Sequence, residues 1–454
     1  VAQRFFIATL GCPKNDVDSD KLVGLLRSSG YLETNEPADA DLVVVNTCAF
    51  IEPAREESIN TILELSELRR PGAKLAVTGC LAERSGEELA AALPEVDVVA
   101  GFGMDFIGRV SRLSPQSVEA HGDGQPVRLL RRSEVPSFDL LELPRPPASA
   151  PWAYVKVAEG CDRKCGFCAI PSFRGKQRSR TMESILAEVE SLQVREIVLV
   201  AQDLASFGRD QSSATGRRSG DADIVRLVRA VAAEVDRVRL LYIYPSSLSD
   251  TLIETIVATG VPYFDLSLQH VSVPLLRGMR RWGNGQRFLE RIDRIRSLAP
   301  EAALRSSFIL GYPGETEEDH DELLAFVEAA RLDWAGFFTF SSEAGTYAAE
   351  LDAQVPAELA MERLRECSEL QDAVTAEQRR RLVGSTVSVL VDSPGVGRSF
   401  REAPEIDGIV RLSEDLAAGE IAEVIVTGAE GPDVIAEPVR VGAGAPSPVT
   451  MVAS

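Results

Sequence analysis

Histidine is close to absent from this chain: His121, His270 and His320 are the three among 454 residues. None falls in the first 120 residues, so a mixed cysteine and histidine zinc set cannot be completed there, and the scattered three are assigned to no ligand set. Cysteine is scarce as well. Seven are too few for a disulfide-dense secreted scaffold, and in a reducing compartment they persist as thiols, which favours metal or cluster ligation. Long apolar runs are missing too. Stretches such as Leu42 to Val45 and Ile197 to Ala201 fall far short of the roughly 20 residues a bilayer crossing needs. The opening VAQRFFIATLGC has one Arg and no long apolar core, so it does not resemble a signal peptide. A cytoplasmic protein without a membrane partner is expected. Cations are outnumbered, 48 Lys and Arg against 69 Asp and Glu, a net charge of -21. A chain that grips nucleic acid through phosphates concentrates cations instead, so nucleic acid is disfavoured as a direct substrate and a basic partner fits better. What is present, 45% apolar and 26% charged residues, is a globular mixture. The length suggests about three domains at roughly 150 residues each.

Residues 1 to about 110 repeat one pattern: apolar strand, sharp turn with a cysteine, amphipathic helix. Phe5 to Leu10 leads into Gly11-Cys12, Leu42 to Val45 into Asn46-Thr47-Cys48, and Leu75 to Thr78 into Gly79-Cys80. Helical apolar spacing covers Ser19 to Ser29, Pro53 to Leu68 and Glu83 to Leu93, and Val96 to Ala100 has the pattern of a fourth strand. Short buried strands alternating with helices predict a parallel α/β sheet. Ligands of such sheets sit beyond the carboxyl ends of the strands, so Cys12, Cys48 and Cys80 can converge there. One buried cysteine alone is ordinary packing; three at equivalent strand ends point to a shared metal site. Zinc is the main rival, and three thiolates alone suit an iron-sulfur cluster with one iron left open.

From Ser111 to about Pro151 the chain turns rich in Pro, Gly and Ser, as irregular structure closing in a linker does. GCDRKCGFC follows, placing Cys161, Cys165 and Cys168 at C-x3-C-x2-C. Three thiolates leave one iron of a four-iron cluster free for a ligand, whereas a zinc ribbon needs a second matching C-x2-C pair that is absent. Six strand patterns then alternate with helices, from Tyr154 to Ala158 through Ala335 to Phe340, as in a partial (β/α)6 barrel. Gln202 with Asp203, Gln269 with His270, Gly311 with Glu315, and Ser341 with Glu343 fall just after these strands, on the face where barrel active sites lie. Arg174, Lys176, Arg178 and Arg180 form a basic run, and such runs are usually solvated. Cys367, in the helical stretch Pro356 to Arg381, is expected to be a packing residue.

The motif Cys161-x3-Cys165-x-Phe167-Cys168 on a β/α repeat resembles the radical S-adenosylmethionine enzymes. IPSFRGKQRSR, SLQHVSVPLLRGMRR and FILGYPGETEEDH narrow the resemblance to the methylthiotransferases, over nearly the whole chain. GCPKNDVDSD, KCGFCAIPSFRGKQRSR and DSPGVGRSFREAPEIDG are most similar to the branch that modifies an aspartate of small-subunit ribosomal protein S twelve. The resemblance implies two 4Fe-4S clusters, one on Cys161, Cys165 and Cys168 that binds S-adenosyl-L-methionine and yields a 5'-deoxyadenosyl radical. The other, on Cys12, Cys48 and Cys80, supplies the sulfur that is methylated and captured by the substrate β-carbon. It also implies that Phe167 packs by the adenine, that Gln202, Gln269 and Gly311 lie along the cofactor, and that a donor such as flavodoxin or ferredoxin delivers electrons. No side chain beyond the two clusters is assigned a catalytic role.

Beyond Leu382 short strands and turns predict a small antiparallel barrel of the oligonucleotide-binding type, similar to the family's TRAM domain. The expected division is thus 1–145, 146–382 and 383–454. Residues 383–454 hold 4 Arg, no Lys and 11 Asp or Glu, a net charge of -7, which disfavours phosphate and suits a basic ribosomal protein. Two competing readings stay open. A transfer-RNA methylthiotransferase of the MiaB type would share both trios, and a non-enzymatic iron-sulfur carrier or redox sensor would need neither the barrel nor GYPGET.

Overall fold

The computed structural model describes residues 2–101, 140–214 and 221–439; His121 and residues 111–139 of the expected linker lie outside the described residues. The first unit runs β1 (Arg4–Thr9), α1 (Pro13–Ser28), β2 (Leu32–Glu33), β3 (Leu42–Thr47), α2 (Glu52–Leu68), β4 (Lys74–Gly79), α3 (Cys80–Ala92) and β5 (Val98–Val99). Its five strands are all parallel, in the order β2-β1-β3-β4-β5. The run LVVVNT of β3 is buried on both sides. Val43 and Val45 pack with Ile62, Leu65 and Leu89, while Leu42 and Val44 face Phe5, Leu22 and Leu26. Helices on both faces explain why the strand is uniformly apolar rather than alternating.

Helix α1 starts at Pro13, six residues before the apolar spacing begins. Its buried face opens with Asn15, Asp18, Ser19 and Lys21 around a single apolar residue, Val17, so hydrophobic periodicity could not find it, and Pro at the first position is already set for a helix. The exposed two-residue β2 was not expected. Helix α3 begins at Cys80 itself rather than at Glu83.

The central unit is an arc of six parallel strands in chain order: β6 (Trp152–Lys156), β9 (Glu196–Val200), β10 (Arg237–Leu240), β11 (Tyr263–Gln269), β12 (Ala303–Leu310) and β13 (Trp334–Thr339). They pair in two sets of three, joined by a bridge from Ile243 to Leu266. β10 ends at Leu240, short of the expected Tyr244, and Tyr242 beyond it is left-handed at φ 64. A short antiparallel pair absent from the sequence reading, β7 (Ala158–Glu159) with β8 (Arg178–Ser179), brackets the cysteine loop. Helices Met182–Leu192, Ala222–Ala232, Asp250–Ala258, Gly285–Leu298, Glu317–Ala330 and Ala357–Arg380 cover the outside, and Cys367 is buried in their core.

The last unit is a closed barrel of β14 (Thr386–Ser393), β15 (Val396–Arg398), β16 (Val410–Arg411), β17 (Ile421–Glu430) and β18 (Asp433–Pro438), in the order β14-β15-β16-β18-β17. Every seam is antiparallel except β16 with β18, which is parallel. The segment between β15 and β16 enters the arc from its amino end. Phe400, Ala403 and Ile406 pack with Tyr154, Val198, Tyr263 and Trp334. Trp334 Nε1 donates to Arg401 O at 2.7 Å, Tyr154 Oη to Pro404 O at 2.9 Å and Tyr263 Oη to Asp407 Oδ2 at 2.7 Å. With that end filled, the carboxyl end is left for ligands.

Candidate functional site

Three strand ends deliver the first thiol set. Gly11, at φ 107, turns the chain so that Cys12 caps α1. Cys48 follows β3, and Cys80 opens α3 directly after β4. β1, β3 and β4 are neighbours, so all three cysteines share one carboxyl edge, where strand order reverses and parallel sheets bind ligands. The fit is close. A Cβ on Gly11 would stand 2.9 Å from Cys48 Sγ, and one on Gly79 2.5 Å from Thr47 N. Asn15 Nδ2 donates to Leu10 O (2.7 Å) and Thr47 O (3.2 Å), pinning the two turns together. The Cys48 N–H donates to Ser58 Oγ at 3.0 Å.

The second set lies on one loop. Gly160, at φ 78, has Lys176 O 2.2 Å from where a Cβ would be, so only glycine lets the strands around the loop close. The Cys161 N–H donates to Gly175 O (3.0 Å), the Gly166 N–H to Met279 O (2.8 Å) and the Cys168 N–H to Cys165 O (3.2 Å). Arg163 pairs with Asp203 at 2.6 Å and donates to Ser247 Oγ at 2.8 Å. Arg163 and Arg281 both lie against the Tyr244 ring, 3.9 and 4.0 Å from its centre. Arg281 Nη1 donates to Cys165 Sγ at 3.4 Å, and the Arg163 N–H to Cys161 Sγ at 3.4 Å.

None of the six cysteines is in a disulfide. Burial pushes the Cys48 thiol up to about 11, with Cys80 and Cys12 adding to the shift. It pushes Cys161 up to about 11 and Cys168 up to about 12, where Cys165 again adds. Cys80 is raised for the same reason, against the pull of Arg174. Such thiols become thiolates when a cation takes the place of the proton. Each trio therefore fits a bound cluster: its cysteines share one sheet edge or one loop, and N–H groups already point at three of the six sulfurs. Among the described residues no three His, Cys, Asp or Glu side chains are arranged to hold a single metal ion. A four-iron cluster asks for something different, because each thiolate takes its own iron at a separate corner.

Phe167 is half-buried in an apolar patch with Leu275, Ile309, Tyr312 and Phe340, and Gln202 Nε2 donates to Glu159 Oε1 at 2.9 Å. Gln269 ends β11 at φ 75, an unusual conformation for its residue type. Gly311 has a packing reason of its own: a Cβ there would meet Ala360 Cβ at 2.5 Å, so the missing side chain makes room for a helix. Glu343 joins the first unit to the arc, pairing with Arg55 (2.5 Å) and Arg84 (2.6 Å), and Arg84 also donates to Ala49 O beside Cys48. His270 is fully buried and pushed down to about 4 by burial; His320 is buried against Glu366 at 2.8 Å.

The basic run departs from the expected solvated face. Lys176 is exposed, but Arg174 and Arg180 are buried, because each meets carboxylates inside the protein. Arg180 pairs with Glu188 at 2.8 Å. Arg174 donates to Asp18 Oδ2 (3.0 Å), Glu159 Oε2 (3.0 Å), Asn15 Oδ1 (2.8 Å) and Cys80 Sγ (3.0 Å). Lys156 completes the network with Asp18 and with Glu159, the latter at 2.6 Å. Burial would raise the Glu159 carboxyl, but Arg174 and Lys156 hold it down at about 2. One buried network thus runs from Cys80 to Glu159, two residues before Cys161. The sequence reading missed Asn15, Asp18, Lys156 and Glu159; for the last two, charged residues within the buried run VKVAE at the end of β6 and in β7 were the available signal.

Comparison with known proteins agrees with this layout. Residues 4–101 match an uncharacterized protein family, UPF0004, residues 155–327 the radical SAM superfamily, and residues 383–439 the TRAM domain. A protein of Streptomyces avermitilis named ribosomal protein uS12 methylthiotransferase RimO is 40% identical over 95% of this chain and 96% of its own. One of the same name from Moorella thermoacetica is 41% identical over 93% of this chain and 96% of its own. Among solved structures, the radical S-adenosylmethionine methyltransferase TsrM of Kitasatospora setae has a TM-score of 0.50 at 15% identity, covering 75% of this chain and 72% of that one, a likeness of fold. The chain belongs to the RimO methylthiotransferase family, with the fold of the radical S-adenosylmethionine superfamily.

Proposed function

We propose that this chain attaches a methylthio group to the β-carbon of an aspartate of ribosomal protein uS12, using two 4Fe-4S clusters and S-adenosyl-L-methionine. The observation that carries the reading is the presence of two separate cysteine trios, one on the edge of a parallel sheet and one on a barrel loop, linked by a single buried network. Near full-length likeness to proteins named uS12 methylthiotransferases supports the substrate, as does the charge of -21 facing a basic partner.

Cys161, Cys165 and Cys168 would hold the cluster that, with S-adenosylmethionine, supplies a carbon radical able to take hydrogen from an unactivated carbon. The chain's own contributions surround that step. Phe167 offers an apolar face for the adenine, and Gln202, Gln269 and the Gly311 backbone stand at strand ends within the cofactor's span. Cys12, Cys48 and Cys80 would hold the second cluster, on the side from which the transferred sulfur comes. Arg163 and Arg281 keep the cysteine loop against Tyr244. The working division is 1–145 for the sulfur-supplying unit, 146–382 for the radical unit and 383–454 for the TRAM unit. Among the described residues no helix is long and apolar enough to cross a membrane; the reaction belongs in the cytoplasm, with a flavodoxin or ferredoxin as electron donor.

The test is anaerobic incubation of reconstituted protein with S-adenosylmethionine, reductant and either uS12 or transfer RNA, read by mass spectrometry. Methylthio gain on the protein is expected. Gain on RNA alone, or no 5'-deoxyadenosine in either arm, overturns the reading.

A further inference from the structure

Arg174 has a position that ligation and radical chemistry do not explain. The residue is buried, 7% exposed, and its guanidinium offers one nitrogen to carboxylates and the other to an amide oxygen and a sulfur: Nη1 donates to Asp18 and Glu159, Nη2 to Asn15 Oδ1 and Cys80 Sγ. Asp18 and Glu159 are also held by Lys156, so the two anions and two cations of the network cancel. Charge balance alone would therefore be met by any cation. What arginine adds is a planar fork whose second edge reaches the sulfur while the first stays on the carboxylates. Asn15 fixes that second edge, and is itself fixed by Leu10 O and Thr47 O, the turns that carry Cys12 and Cys48.

We infer that Arg174 is a positioning residue that sets the reduction potential of the cluster held by Cys12, Cys48 and Cys80, through the hydrogen bond it donates to Cys80 Sγ. A donor on a ligating sulfur stabilises the extra electron of the reduced cluster and so raises its potential. The sulfur-supplying site is thereby more easily reduced than three buried thiolates alone would make it. This inference rests on the cluster assignment proposed above.

The experiment uses full-length protein with Cys161, Cys165 and Cys168 replaced by alanine, so that only the first trio can hold a cluster. It compares Arg174 with Arg174→Lys and Arg174→Gln after anaerobic reconstitution. Iron content and the midpoint of an EPR-monitored redox titration are read. Arg174→Lys keeps a cation for Asp18 and Glu159 and is expected to retain iron. Its loss of the sulfur contact is expected to lower the reduced-to-oxidised ratio at fixed potential about tenfold, equivalent to about 59 mV for one electron. Arg174→Gln is expected to show the same downward shift with less iron retained. If Arg174→Lys holds iron at an unchanged midpoint, the residue is structural and the inference falls. An equal shift in the converse protein, with Cys12, Cys48 and Cys80 replaced, would reveal a diffuse charge effect and overturn it as well. If the parent protein with Arg174 binds no iron on the first trio, the cluster assignment itself fails, an outcome distinguishable from the other two.

Discussion

Gly11 and Asn15 show how little tolerance the first thiol set has. A side chain at position 11 would need φ 107 and would stand 2.9 Å from Cys48 Sγ, a combination of strained backbone and overlap that costs on the order of 1–3 kcal/mol. Gly11→Ala is therefore expected to bring iron per chain down toward that of the second cluster alone, with the Cys161, Cys165 and Cys168 signal intact; iron analysis with EPR of each cluster checks it. The six cysteines were legible in the sequence because their spacing is local or falls on repeated strand ends. Their partners were not. Asn15 and Asp18 act across units, and no pattern within α1 shows that a polar residue will be buried against another unit. Arg174 illustrates the same limit, since a run of four cations looks solvated until Asp18 and Glu159 are placed beside one of them.

At the scale of elements, seams between units are held by buried ions rather than apolar surface alone. Glu196 of β9 accepts from Arg239 Nε and from Arg398 Nη1 of β15, both at 2.9 Å. Burial would raise its carboxyl, yet Arg398, Arg239 and Arg237 hold it down at about 2 from an ordinary 4.5. A carboxyl depressed on folding adds stability that is complete above its unfolded value and lost as pH falls through its folded value. The seam's contribution is thus expected to be constant above about 4.5 and to vanish toward pH 2, seen as a falling urea midpoint. Glu196→Ala leaves the buried Arg239 guanidinium without its carboxylate, while Arg398 keeps Asp392 at 2.6 Å, and about 3–5 kcal/mol of stability should go with it, measured by the same titration at neutral pH. Glu343→Ala removes the carboxylate shared by Arg55 and Arg84. The first unit should then seat less firmly on the arc, lowering methylthio transfer while both clusters keep their iron. The longer strands were found from sequence within a few residues, because apolar runs mark them directly. The start of α1, β2, β15 and the pair β7 with β8 were not, since a polar buried face and strands of two or three residues carry no period to detect.

Across the whole molecule, the charge of -21 has a kinetic meaning. Encounter with a basic protein should be accelerated at low salt and slow as the screening length shrinks to about 8 Å at physiological ionic strength. Apparent kcat/KM on uS12 should therefore fall with added salt while kcat stays nearly constant, and a salt-independent ratio would count against an electrostatic approach. The order of the three units was readable because each has its own pattern, but not that the last would reach into the second. Tyr154 bonds to Pro404, 250 residues further on. At about 5–20 residues per second, the ribosome needs roughly 10–50 s to deliver that stretch after Tyr154 has been made. Throughout that interval the nascent arc has an open apolar floor, so a chain that ends before Ser399 is expected to aggregate rather than fold as a smaller enzyme, which the soluble yield of a 1–398 truncation would show.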